Sequence, residues 1–244
     1  YFKKVLELDP EDTKGHKDEA TYNLALHEAR ANKNIEPMKA FVATNSEEEY
    51  LTTSYTTLAN HYQRARDTDK VIETYDEALQ KMPGNSTILF YYASTIIGNK
   101  IEKLYPKALE LNQKAKTLDP ELEVSTYFVL AQYHRNLEDT EKVVETLEEA
   151  IRKFPQSFKL KSYYADVIYR NKIEGKYALG VDLAKVELDV DPRSARGWYT
   201  LGQLYFLNGD LEKAVDAVQK AVELNPDRVA YKSTLEKFEK ESQE

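Results

Sequence analysis

The chain has 244 residues, of which 31% are charged and 41% belong to the nine apolar types, with 8 Gly and 8 Pro, a balance that suits a helical protein with a core and argues against a disordered chain or a β-sandwich. The formal net charge of −8 supplies no basic footprint, so no nucleic-acid partner and no membrane insertion are expected, and no apolar run reaches the roughly 20 residues that a membrane span requires. Cysteine is absent, which excludes disulfides, thiol catalysis and thiolate-held metal centres.

In chain order, Tyr1 to Pro10 reads as the end of a helix closed by Leu8-Asp9-Pro10, the remnant of a repeat begun upstream, so the natural protein is expected to continue before Tyr1. Residues 12–45 are predicted to form a divergent helical pair. Ala20, Leu24, Leu26 and Ala29 lie on its first helix, Asn32-Lys33-Asn34 at the turn, and Met38, Phe41 and Val42 on the second. Residues 50–83, 86–120, 124–155, 158–192 and 195–226 each read as a helix–turn–helix unit ended by proline. From Pro83 through Pro120, Pro155 and Pro192 to Pro226 the spacings are 37, 35, 37 and 34 residues, and a period of that size marks stacked helical hairpins. Asp67-Thr68-Asp69, Asp139-Thr140 and Asn208-Gly209-Asp210 are positioned to supply the left-handed residue and N-cap that start each second helix.

Units 86–120 and 158–192 carry an insertion between their helices and match each other at an offset of 72: Tyr91-Tyr92-Ala93 with Tyr163-Tyr164-Ala165, and Asn99-Lys100-Ile101-Glu102 with Asn171-Lys172-Ile173-Glu174. The same offset relates 67–83 to 139–155, so a pair of repeats reads as the duplicated unit. Residues 227–241, with Val229, Leu235 and Phe238 among Lys and Glu, suit a capping helix with a polar outer face.

Trp198, Leu201, Gly202, Tyr205, Ala214, Ala221 and Pro226 fall at the spacing of the tetratricopeptide repeat, which residues 195–228 therefore resemble. Val218 departs from that pattern by standing where Phe is usual. Residues 52–83 and 124–155 repeat the theme through Tyr55, Leu58, Ala59, Tyr62, Ala78 and Pro83, and through Tyr127, Leu130, Ala131, Leu147, Ala150 and Pro155. The resemblance implies an all-α fold, a right-handed α-solenoid of stacked hairpins whose first helices line a concave groove, and a protein or peptide as partner. Carried over residue by residue, that groove takes Thr56, Asn60 and Gln63 from one unit, Phe90 and Ser94 from the next, then Phe128, Gln132 and Arg135, then Ser162, Asp166 and Tyr169, and finally Arg196, Tyr199 and Gln203. Family members that clamp a partner's C-terminal carboxylate use Lys, Asn and Arg on successive first helices. Here Asn60 fits one such slot, while Thr56, Phe90 and Tyr91 replace the rest, so binding of acidic C-terminal tails in that manner is not expected.

The residues give no support to catalysis. His16, His27, His61 and His134 lack paired metal-ligand spacing, the scattered glycines form no phosphate loop, and carboxylate runs such as Glu47-Glu48-Glu49 read as solvated faces. No catalytic, cofactor-binding or metal-binding residue is assigned, and most of the 18 tyrosines fit packing slots. The function so read is a protein-interaction scaffold. The alternative is a regulatory or dimerisation region of a larger protein whose catalytic part, an enzyme or a thioredoxin-like domain, lies upstream. Self-association through solenoid ends stays open under either reading.

Overall fold

The computed structural model describes residues 2–8, 11 and 16–243. Asp9, Pro10 and residues 12–15 lie outside the described residues, and with them the Leu8-Asp9-Pro10 helix end and the start of the 12–45 segment.

All regular structure among the described residues is helical, in the order α1 (Phe2–Leu8), α2 (Lys17–Ala31), α3 (Glu36–Thr44), α4 (Glu48–Arg64), α5 (Thr68–Lys81), α6 (Ser86–Gly98), α7 (Tyr105–Leu118), α8 (Glu123–Asn136), α9 (Thr140–Lys153), α10 (Phe158–Arg170), α11 (Tyr177–Val190), α12 (Ala195–Leu207), α13 (Leu211–Leu224) and α14 (Val229–Glu241). Short 3-10 turns occupy Glu102–Leu104 and Pro120–Leu122. Helices α4/α5, α6/α7, α10/α11 and α12/α13 pack as sequential hairpins, which is the all-α helical-repeat architecture of the α-solenoid class. Two compact units divide the chain, Tyr1–Val129 and Leu130–Glu244, with the boundary inside α8.

Local chemistry sets the helix ends. Two residues after the prolines at 83, 155 and 192 stands a capping side chain: Asn85 accepts from the Ile88 N–H, Ser157 from Leu160 and Ser194 from Gly197, each satisfying a donor that the first helical turn leaves unpaired. The second helices α5 and α9 are capped by Asp67 and Asp139, which accept from the Lys70 and Lys142 N–H at 3.1 and 3.0 Å. The chain reverses before each second helix through a left-handed residue. Lys33, before α3, and Gly209 fall inside the segments read as turns; Arg66 and Glu138 do not, each standing just ahead of the capping Asp. The inserted units use longer connectors, 99–104 and 171–176, with the left-handed residue at Lys100 and Lys172.

Small residues let the paired helices approach. Ala59, Ala78, Ala93, Ala108, Ala131, Ala150, Ala165, Ala214 and Ala221 are all fully buried. In α2 the buried positions are Ala20 and Ala25, while Leu24, Leu26 and Ala29 are half-buried. The reason is an aromatic contact: Tyr22 of this helix lies 5.8 Å from the ring of Phe41 and 4.9 Å from that of Tyr50, which turns the small residues inward. At the other end α14 supplies Phe238, stacked 4.3 Å from Phe206 in one core cluster with Val218 and Ala214. The capping helix thus fills space beside the position where Val replaces the usual Phe.

Each unit also contains a carboxylate shared by a tyrosine hydroxyl and a lysine. In the first unit Tyr92 donates to Asp76 at 2.9 Å and Lys107 reaches the same carboxylate at 2.6 Å. In the second Tyr164 donates to Glu148 at 2.9 Å and Lys176 reaches it at 2.8 Å. Burial is the main force pushing the Tyr92 hydroxyl up to about 12, and the lysine hydrogen bond holds Glu148 below the usual carboxylate range.

Candidate functional site

In the first unit the first helices α2, α4 and α6 lie side by side, and two clefts open along this row. The cleft between α4 and α6 encloses about 360 Å³ and is lined by Thr56, Asn60 and Gln63 from α4, Tyr91, Ser94, Thr95 and Gly98 from α6, and Tyr75 from α5 behind them. Tyr75 is buried and stacks on Tyr92 at 5.1 Å, and that burial raises its hydroxyl pKa. Thr56 spends its proton on the Thr52 carbonyl at 3.0 Å. The amides of Asn60 and Gln63 are exposed and make no hydrogen bond among the described residues, and Tyr91 is 45% exposed. An aromatic surface beside free amides can pack a side chain and pair a peptide backbone simultaneously.

The cleft between α2 and α4 encloses about 450 Å³, lined by Ala29 and Arg30 of α2, Lys33 and Ile35 of the connection after it, Thr57, Asn60, His61 and Arg64 of α4, and Ala65. Asn60 belongs to both clefts, so they form one continuous surface.

Four of the residues that the resemblance assigns to the groove, Thr56, Asn60, Gln63 and Ser94, thus come together in one cleft. Phe90 is half-buried 5.5 Å from Tyr91 and stays outside its lining. Phe128 is half-buried on α8 in the same unit. Tyr91, Tyr75, Thr95 and Gly98 were not assigned from sequence. Tyr91 and Thr95 adjoin Phe90 and Ser94 on α6, so a shift of one position in the helical phase would have found them.

In the second unit most of the assigned residues are engaged within the fold. The Gln132 amide donates to Asn136 at 2.7 Å and accepts from Arg135. Ser162 is buried and hydrogen-bonded to Glu187, which also pairs with Arg196 at 3.2 Å. Asp166 is buried and pairs with Arg170 at 2.7 Å. Tyr169 meets Tyr199 edge-on at 6.3 Å, and Tyr199 stacks on Tyr231 of α14 at 4.6 Å; burial first, then the hydrogen bond with Tyr199, pushes the Tyr169 hydroxyl up to about 12. Gln203 is half-buried on α12.

A further cleft of about 660 Å³ opens on the second-helix side of this unit, with Trp198, Leu201 and Tyr205 of α12 as floor and Lys185, Asp189, Lys213, Asp216 and Lys220 of α11 and α13 as rim. Trp198 donates its indole N–H to the Pro192 carbonyl at 2.9 Å, consistent with a packing role for that ring. Among the described residues no three His, Asp or Glu side chains converge as a metal-holding group, and no helix is long and apolar enough to cross a membrane.

Repeated helical hairpins, first helices in a row and clefts between them define a protein–protein interaction scaffold. Residues 195–228 and 124–155 each match the tetratricopeptide repeat family, so the chain carries tetratricopeptide repeats. A tetratricopeptide repeat protein from Parabacteroides merdae superposes with a TM-score of 0.64 at 16% identity, covering 97% of this chain and 89% of that one. PilF of Pseudomonas aeruginosa gives 0.64 at 17% identity over 92% of this chain and 100% of its own. YrrB, described as a TPR protein with an unusual peptide-binding site, gives 0.52 at 17% over 80% and 95%. At these identities the likeness is one of fold. No curated protein sequence matches the chain.

Proposed function

We propose that this chain is a non-catalytic scaffold that binds a peptide segment of a partner protein along the α2–α4–α6 row. The observation that carries the reading is the meeting of Thr56, Asn60, Gln63, Ser94 and Tyr91 around one cleft, with two unpaired amides and an exposed ring. Such a surface offers an apolar anchor together with backbone hydrogen bonding, the two components of peptide recognition. The peptide-binding site in the description of YrrB is consistent with it. Gln132, Arg135, Ser162, Asp166 and Arg196 on the second-unit first helices are committed to internal pairs, which favours the first unit as the binding face. If the chain is instead the regulatory part of a larger protein, the same cleft is the surface offered to a segment of that protein.

The apolar floor of the α11–α13 cleft supports a second reading, in which the partner seats on the second-helix side. Panning a displayed random-peptide library on the chain separates the two. Peptides so selected are expected to lose at least about tenfold in affinity to Asn60→Ala and Tyr91→Ala variants and to bind Asp189→Arg unchanged. Peptides indifferent to the first two substitutions and lost on the third would place recognition on the second-helix side.

A further inference from the structure

Resting on the first-helix row as the partner-binding face, we propose that the α2–α4 cleft is an anion subsite, which takes side-chain carboxylates of an acidic segment as that segment runs past Asn60 toward Tyr91. Arg30, Lys33, His61 and Arg64 all line it and no acidic side chain does. This is a local reversal in a chain of net charge −8.

The four side chains form no ion pair among the described residues. The acids nearest in sequence are engaged elsewhere: Glu28 accepts from the Asn32 amide at 2.8 Å and Glu36 pairs with Lys39 at 2.8 Å. Complementing the helix ends does not account for the cluster. Arg30 and Arg64 stand in the last turns of α2 and α4, where each helix terminus carries a partial charge of about −0.5. Two termini therefore offset about one unit of charge, against three permanent cations, leaving an excess of about two even with His61 neutral.

Extended acidic segment is the occupant these features favour. The cations are exposed and distributed over two helices and a loop, across a cleft of about 450 Å³, which matches several carboxylates spaced along a chain better than the concentrated charge of one phosphate. Guanidinium forks pair with carboxylates through two parallel hydrogen bonds. Asn60 then hands the backbone to the α4–α6 cleft. Such a site differs from a clamp on a chain-terminal carboxylate, because a ligand with both ends blocked is competent.

The test is fluorescence anisotropy of the whole chain with a labelled peptide that alternates Glu with Leu and Tyr, acetylated and amidated at its ends. Its Gln counterpart and its phosphoserine counterpart are measured beside it. The Glu peptide is expected to bind, the Gln peptide at least about tenfold more weakly, and Arg30→Gln and Arg64→Gln each to weaken the Glu peptide by about tenfold. Added salt is expected to weaken it as well. Both substitutions are at exposed positions, and unchanged helical circular dichroism verifies the fold. Equal binding of Glu and Gln peptides, retention of the Glu peptide by both Arg variants, or binding of the phosphoserine peptide alone would each overturn the subsite. If neither Glu nor Gln peptide binds while library-selected peptides still respond to Tyr91→Ala, the subsite fails and the first-helix reading stands. If selected peptides ignore Tyr91 and Asn60, both fail.

Discussion

At Gly202 a Cβ would stand 2.5 Å from Val218 Cγ2 and 3.1 Å from the Ala214 carbonyl oxygen, so the helices α12 and α13 cross with no room for a methyl group. Adding one costs about 1–3 kcal/mol of overpacking, which the roughly 1 kcal/mol gain in helix propensity only partly offsets. Gly202→Ala is therefore expected to lower unfolding stability by about 1 kcal/mol in urea denaturation. Gly98→Ala, with nothing within 4 Å of the new methyl, is expected to be neutral or slightly stabilising. Equal effects at the two positions would contradict the close crossing. Gly202 was legible in the sequence because it occupies a slot of the repeat pattern. The cations at Arg30 and Lys33 were not, since they belong to the divergent 12–45 segment and meet His61 and Arg64 only when neighbouring hairpins pack.

Elements follow their punctuation. Proline, then a cap two residues on, starts α6, α10 and α12, and Asp starts α5 and α9. Backbone hydrogen bonds from Lys70 and Lys142 hold Asp67 and Asp139 below the ordinary carboxylate value. A carboxylate lowered in the folded state contributes stability that is fully present above its unfolded pKa of about 4 and is lost as pH falls through the lower folded value. Asp67→Ala and Asp139→Ala are each expected to reduce Tm by about 2–4 °C at neutral pH, and thermal melts of these variants should converge with the parent's in strong acid. A difference that persists at low pH would show that the caps act otherwise.

Hairpin spacing and the inserted units were readable because proline, glycine and capping residues report local backbone geometry. The inward face of α2 was not legible, for a related reason. Alanine and leucine alternate there with little amphipathic contrast, and only the contacts of Tyr22 with Phe41 and Tyr50 decide which side is buried.

Across the molecule, the offset of 72 seen in sequence reappears as chemistry: Tyr92 on Asp76 in the first compact unit and Tyr164 on Glu148 in the second. The lysines completing the two arrangements, Lys107 and Lys176, do not share that offset, so the charge arrangement is maintained from different positions. The duplication does not extend to the candidate binding face. Asn60 and Gln63 leave their amides free in the first unit, whereas Gln132 and Arg135, at the same offset in the second, bond to each other and to Asn136. Sequence identity between repeats reported the scaffold; which face is free depends on the side-chain partners that folding brings within reach.

The most direct measurement is amide hydrogen exchange of the whole chain with and without a library-selected peptide. The account predicts added protection concentrated in α4 and α6, at residues 48–64 and 86–98, with α11 and α13 unchanged. Protection confined to 177–190 and 211–224 would contradict it.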